Sequence, residues 1–354
     1  MVRGLSVSAF VLPKPTLASA IRTVVGDGVN YHAFPSIRLS PDGQTVYCAY
    51  KAGTHNPYPP QAIKFISRSV AFGSSWSSPV TVMSYDNVLD RTPTGPDLFV
   101  TSTGRIVLTT TVVNNGGSYY RRPHLAYSDD GGVTWTVVGE ILSRYDYWDT
   151  PCKAVEIGGT IYLTHYGGME TDLGSTYRAG LTASSDNATT WELSDEIANG
   201  ANYGLQFEEP GIYKLPSSGR IVVLLRTDQR SQILMADTAS VGGAWHAPTV
   251  VGRGYACASA AVFSDDTMLL CQRWPANDLG GQGAAFYCLR RETSGIVRAS
   301  PPAFLDPLCP RTGTRRQMYG EGVALNSTTA LYVWAHDDGT YVGESTIYEA
   351  EVSI

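Results

Sequence analysis

Lysine is scarce in this chain, five residues of 354 against 21 arginines. Charged residues together make up only 16%, against roughly 25% in an average soluble domain. That excludes a long disordered chain or a coiled coil. With 32 acidic and 26 basic residues the net charge is −6, so the clustered positive excess that nucleic acid demands is missing. No run reaches the roughly 20 apolar residues of a membrane helix. The six cysteines, Cys48, Cys152, Cys257, Cys271, Cys288 and Cys309, form no CxxC pair. Scattered in this way they read as small buried hydrophobes, with neither a disulfide frame nor a zinc site, and no metal or other cofactor is expected. P-loop, GxGxxG and GxSxG patterns are also missing. Arg3, the apolar run Leu5 to Leu12 and Ala18-Ser19-Ala20 mimic a secretion signal. Pro13-Lys14-Pro15 breaks that run, so no exported form is assumed.

What the chain has in quantity is glycine (36), proline (20) and tyrosine (21), arranged in a repeat. A turn pair followed by a β-rich run occurs six times: Asp42-Gly43, Thr103-Gly104, Gly158-Gly159, Ser218-Gly219, Asp265-Asp266 and Thr328-Thr329. A shorter apolar run precedes each, which is the signature of a β-hairpin. The spacing leaves room for about four strands of five or six residues per unit. A second mark follows the early hairpins. Ser128, Asp130, Gly132, Thr134 and Trp135 fit S-x-D-x-G-x-T-W in full, Ser184 to Trp191 fits with Ala188 in place of Gly, and Ser69 to Trp76 fits with Ala71 in place of Asp and Ser75 in place of Thr. The Asp can accept turn N–H groups, the Gly can supply an unusual backbone angle and the Trp can pack beneath the hairpin. Six four-stranded units without helical periodicity predict an all-β, six-bladed β-propeller of antiparallel blades, one domain over residues 1–354. The last unit, ending in STIYEAEVSI, lacks one strand. The N-terminal strand SVSAFVL is expected to complete it and close the ring.

The recurring box between hairpins resembles the Asp-box repeat of the sialidase (neuraminidase) superfamily. Architecture does not by itself assign activity, so the residues at the rim carry the functional reading. The seventh position after each turn holds Lys51, with one extra residue, then Thr111, Tyr166, Arg226, Arg273 and Ala335. Arg226 and Arg273 end apolar strands, where an unpaired charge is costly. Two guanidinium groups on neighbouring blades could share one anion, or each could pair with a carboxylate and tie the structure together. Glu208-Glu209-Pro210 opens the fourth unit and Tyr319 the sixth. A phenol has a pKa near 10, so it needs a carboxylate base to act as a nucleophile at neutral pH.

The resemblance assigns these residues. The stretch E-P-x-x-x-x-L-P-x-x-G-R-x-x-x-x-x-R, Glu209 to Arg226, is similar to the family's base and second arginine. Arg273 resembles the third arginine and Tyr319 the nucleophile, with Asp90, or else Asp97, as the acid that protonates the leaving sugar. Sialidases depart from the two-carboxylate rule of glycoside hydrolysis by using Tyr. The family's first arginine, usually in R-I-P, is replaced here by Ala33 in Tyr31-His32-Ala33-Phe34-Pro35. Arg38, Lys51 and Arg91 are its possible substitutes. The implied partner is a glycan carrying sialic acid or a related acidic sugar. The alternative is a carbohydrate-binding propeller without turnover, such as an adhesion module of a phage particle, whose tailspike sialidases show a similarly reduced arginine set.

Overall fold

Each of the six turn pairs closes an antiparallel hairpin, seen in the pairings Leu39↔Val46, Val100↔Ile106, Ile157↔Thr160, Lys214↔Ile221, Val262↔Met268 and Ala324↔Ala330. The computed structural model describes residues 12–28, 30–53, 61–86, 89–114, 121–169, 176–227, 232–254, 259–273, 284–292, 297–305, 316–337 and 345–354. The fold is all-β, built of four-stranded antiparallel sheets. The second sheet comprises Arg91–Val100, Ile106–Asn114, Arg121–Ser128 and Thr136–Glu140. The third comprises Tyr147–Ile157, Thr160–Gly168, Arg178–Ser184 and Glu192–Asn199. Glu208–Lys214, Ile221–Thr227, Gln232–Thr238 and Thr249–Arg253 form the fourth. The fifth holds Ala260–Val262, Met268–Arg273, Ala284–Arg291 and Val297–Ala299.

The first sheet, Tyr31–Leu39, Thr45–Gly53, Ala62–Ser69 and Val80–Ser84, is bridged to the last by a single parallel pair, Ser345↔Tyr31. The last sheet contains Arg316–Ala324, Thr329–Asp337 and Ser345–Ser353. Its outer edge is paired by Thr16–Leu17 and Arg22–Val25, and of SVSAFVL only Leu12 lies among the described residues. Leu12 packs into the core beside that sheet. These two short strands follow Pro13 and Pro15, where backbone donors are again available to the ladder. Arg68 and Arg22 both reach Glu349 on the last strand, Arg68 at 3.0 Å and Arg22 at 3.6 Å, which joins the first sheet, the N-terminal segment and the last strand.

Second strands such as IVVLLRT are buried along their whole length, because sheets cover both faces. Continuous apolar runs rather than alternation follow from that. Apolar clusters lie between successive sheets: Ala49, Phe65, Leu98 and Leu108 between the first and second, Leu181, Phe207 and Leu225 between the third and fourth, Leu224, Met235 and Leu270 between the fourth and fifth. Others join the second to the third, the fifth to the last, and the last to the first. Cys48, Cys152, Cys271 and Cys288 are buried, as expected, and Cys257 and Cys309 lie outside the described residues. Among the described residues no helix is long and apolar enough to cross a membrane.

The box acts as a turn staple. Asp130 accepts from the Thr134 hydroxyl at 2.5 Å, from the Thr134 backbone N–H at 2.9 Å and from the Ser128 hydroxyl at 2.8 Å, and these bonds lower its carboxyl pKa to about 2. Trp135 Nε1 donates to the Gly132 carbonyl at 3.1 Å. Gly132 has φ +91°, and a Cβ there would stand 2.1 Å from the Phe65 ring. In the second copy Ala188 occupies this left-handed position at φ +66°. Gly132→Ala adds both backbone strain and overpacking, and is expected to destabilise the fold by about 2–4 kcal/mol. A urea melt of the variant against wild type measures it, and an unchanged midpoint would refute the staple.

Candidate functional site

The first strand of five sheets carries a β-bulge at the same level. Register slips fall between Ala33 and Ser36, Pro93 and Pro96, Pro151 and Ala154, Glu208 and Gly211, and Gln317 and Gly320. A bulge interrupts strict alternation and re-aims a side chain, which is why such features gather at functional sites. Here the bulged residues include Phe34, Thr94, Cys152, Lys153, Glu209 and Tyr319, and all six line one cavity of about 220 Å³. Phe34 and Glu209 hold left-handed backbone angles, φ +53° and +47°. For a residue with a side chain that costs on the order of 1–3 kcal/mol, and such strain persists only where the surroundings enforce it.

Tyr319 and Glu209 meet in this cavity. The phenol donates to Glu209 Oε1 at 2.8 Å, although the residues are 110 positions apart in the chain. Arg226 stands directly across the strand pair from Glu208. Its Nε lies 3.1 Å from Glu209 Oε2, and its NH2 bonds Glu208. With Arg226 only 7% exposed, the guanidinium is engaged by two carboxylates of its own strand pair, the second of the arrangements considered from sequence. Its visible effect is to orient Glu209 and compensate its charge.

Ala33 stands opposite Lys51. The Lys51 ammonium sits 5.5 Å from the centre of the Phe34 ring, and Phe34 packs on Tyr319 with ring centres 4.6 Å apart. Lys51 lines the cavity wall yet is fully enclosed, and burial lowers its pKa to about 7. An aromatic ring backed by an ammonium thus occupies the side where the resemblance expects a guanidinium.

Beneath lies a four-membered charge cluster, one residue from each of four sheets. Lys153 Nζ reaches Asp97 Oδ2 at 2.5 Å and Glu321 Oε2 at 2.9 Å. Arg38 is 3.3 Å from Asp97 and also bonds Glu321. The Ser36 hydroxyl and the Ile37 N–H donate to Glu321 at 2.5 and 3.0 Å. Asp97 and Lys153 line the cavity, whereas Arg38 does not and serves the cluster. Burial outweighs the adjacent ammonium at Asp97 and raises its pKa to about 6. For Glu321 burial pushes upward, but Arg38 and Lys153 prevail and its pKa is lowered.

Asp90 and Arg91 are not among the cavity-lining residues. The Asp90 carboxylate accepts from Tyr85 at 2.8 Å, and Arg91 lines a separate groove with Leu89, His124 and Val137. Arg273 pairs with Ala284 through its backbone, and its side chain lies outside the described residues. The sequence reading missed Phe34, Lys153 and Arg121, all on the wall. Lys153 carried the one available signal, being one of five lysines and placed at the entry of an apolar strand. Among the described residues no group of three or more His, Cys, Asp or Glu could hold a metal ion. Removing Glu321 leaves two buried cations facing Asp97 alone, an uncompensated positive charge, so Glu321→Ala is expected to cost about 3–5 kcal/mol. Denaturant unfolding checks this, and a loss below 1 kcal/mol, roughly the worth of an exposed pair, would contradict it.

The BNR repeat-like domain matches residues 44–272. No curated protein matches the chain. Among solved structures, a protein of unknown function from Dyadobacter fermentans is 17% identical, with 97% of this chain and all of that one covered at a TM-score of 0.70. The intramolecular trans-sialidase of Ruminococcus gnavus is 13% identical, covering 95% of this chain and 97% of its own, also at 0.70. The NanB sialidase of Streptococcus pneumoniae is 12% identical, covering 95% and 71%, at 0.71. At such identities the likeness is one of fold.

Proposed function

Because this chain belongs to the BNR repeat-like domain family, we propose that it is a glycoside hydrolase of sialidase type, cleaving sialic acid or a related acidic sugar from a glycan. The observation that carries this reading is the 2.8 Å hydrogen bond from Tyr319 to Glu209 on the wall of a cavity lined from five sheets. The same reading takes residues 1–354 as one six-bladed propeller closed by the N-terminal strands. Apolar clusters between every successive pair of sheets support it.

In this mechanism Glu209 removes the phenol proton as the Tyr319 oxygen forms a bond to the anomeric carbon. The bond from that carbon to the leaving oxygen breaks, and an acid protonates the leaving oxygen. A neutral phenol suits an anionic sugar, which would repel a carboxylate nucleophile. Asp97, on the cavity wall, takes the acid role in preference to Asp90, which is turned to Tyr85. With its pKa raised to about 6 it holds a proton in weakly acidic solution. Its carboxylate then deprotonates a water that attacks the same carbon, the tyrosyl bond breaks, and Glu209 returns the proton to the phenolate. Two displacements retain the anomeric configuration.

Tyr319→Phe and Glu209→Gln are each expected to lower turnover of a fluorogenic sialoside by well over tenfold with the circular dichroism spectrum unchanged. Wild-type rates in both would remove the assignment. The wild-type kcat/KM should fall as pH rises through about 6, where burial places the Asp97 carboxyl, because a general acid acts only while protonated. Asp97→Asn should abolish that limb while Asp90→Asn preserves it, and the reverse outcome would restore Asp90.

A carbohydrate-binding module without turnover is the second reading. It is favoured by Ala33 in place of a guanidinium and by the engagement of Arg226 with Glu208 and Glu209. Binding of sialoside or polysialic acid without product release would select it.

A further inference from the structure

We infer that Glu321 is the positioning residue of the proposed acid: it gathers the donors of the interior charge cluster and so leaves the proton to Asp97. This rests on the reading above for the acid role of Asp97, but not for where the proton sits. Glu321 and Asp97 share two cations, Lys153 and Arg38. Carboxyls bridged in this way titrate as a coupled pair, and the one better supplied with donors is the one that stays ionised. Among the described residues the supply is unequal. Glu321 receives the Ser36 hydroxyl at 2.5 Å, the Ile37 N–H at 3.0 Å, the Lys153 ammonium at 2.9 Å and the Arg38 guanidinium. Asp97 receives Lys153 at 2.5 Å and Arg38 at a looser 3.3 Å, and it lines the cavity.

Ser36 fixes the inequality. Its oxygen accepts from the Leu98 N–H at 3.0 Å, so its one proton is directed at Glu321. Leu98 follows Asp97 in the chain, and the strand that carries the acid thereby orients the hydroxyl that serves its competitor. Charged groups reach Asp97 from three other sheets: Arg38 from the first, Lys153 from the third and Glu321 from the last. Burial works against its charge first, Lys153 then favours it, Glu321 opposes it and Arg38 favours it. Tyr213 of the fourth sheet acts on Arg38, and the cavity side presents Lys51, Arg121, Cys152, Tyr166, Glu209 and Tyr319. The balance leaves Asp97 protonated below pH about 6 while Glu321 is ionised. Once the proton is given to a leaving oxygen, the new carboxylate finds Lys153 and Arg38 already in place. Preorganised charges of this kind compensate it without rearrangement.

The test reads the proton directly, independently of turnover. Aspartate Cγ is labelled with carbon-13, the Asp97 resonance is assigned by its loss in Asp97→Asn, and its chemical shift is followed against pH. Wild type should titrate near pH 6. Glu321→Gln commits both cations to Asp97 and should lower the midpoint by about one to three pH units, the range for a charge at this separation. Lys153→Met should raise it by a similar amount. Ser36→Ala keeps all four charges and removes one neutral donor. It should lower the midpoint by less, because Glu321 then competes for the proton, and it reports even where Glu321→Gln does not fold. An Asp97 ionised throughout in wild type would overturn the assignment. So would a midpoint that Ser36→Ala and Glu321→Gln leave in place or raise, or that Lys153→Met lowers. If the midpoints move as expected and wild type cleaves no sialoside, the hydrolase reading fails and the proton assignment stands. With turnover, the alkaline limb of kcat/KM should follow the midpoint in each variant, and a limb that stays in place would remove Glu321 from the acid's control.

Discussion

Arg38, Asp97, Lys153 and Glu321 meet in the interior, one from each of four sheets, with two charges of each sign. Each alone would carry a desolvation cost of several kcal/mol, so the cluster is tolerable only when all four arrive together. That demand sets where the inner strands stand relative to one another. Glu321 follows Tyr319 by two residues, Lys153 belongs to its own strand's bulge, Asp97 closely follows the Thr94-Gly95 bulge, and Arg38 lies one turn of the pleat beyond Phe34. Fixing the charges fixes the bulges, and the bulges aim the cavity-lining side chains. The hydrophobic clusters between sheets provide the bulk of the stabilisation, but they are non-directional. The charge cluster supplies direction.

Above it, the proposed chemistry is organised by two short chains of contact. One runs from Glu208 through Arg226 to Glu209 and the Tyr319 hydroxyl. The other runs from Lys51 through the Phe34 ring to the Tyr319 ring. The phenol is thus held at both ends, by a hydrogen bond at its oxygen and by aromatic packing on its ring, the kind of preorganisation that transition-state stabilisation needs. The strained backbone at Phe34 and Glu209 falls at these same two points.

Much of the architecture was legible in the residues. Two-residue turn pairs between apolar runs are local signals, and all six close hairpins. The S-x-D-x-G-x-T-W box is equally local, since Asp130 bonds groups no more than four residues away. At the N-terminus, Thr16–Leu17 and Arg22–Val25 pair with the last strand, while SVSAFVL lies mostly outside the described residues. Asp90 sits before the first strand of its sheet and accepts a hydrogen bond from Tyr85, only five residues away, a local contact that the sequence did not single out.

The sequence by itself determined the repeat and the hairpins, because each depends on residues close in the chain, whereas the roles of Glu209 and Tyr319 were implied there only by the family resemblance. Only the tertiary structure decided that Arg226 faces Glu208 and Glu209, that Lys51 and Phe34 stand beside Ala33, and that Lys153, Asp97 and Arg121 share one hollow. Those outcomes depend on contacts across sheets and on bulges that break the two-residue alternation. A period read along one strand carries no information about which side chain a bulge will turn inward, or which charge from a distant strand will be waiting there.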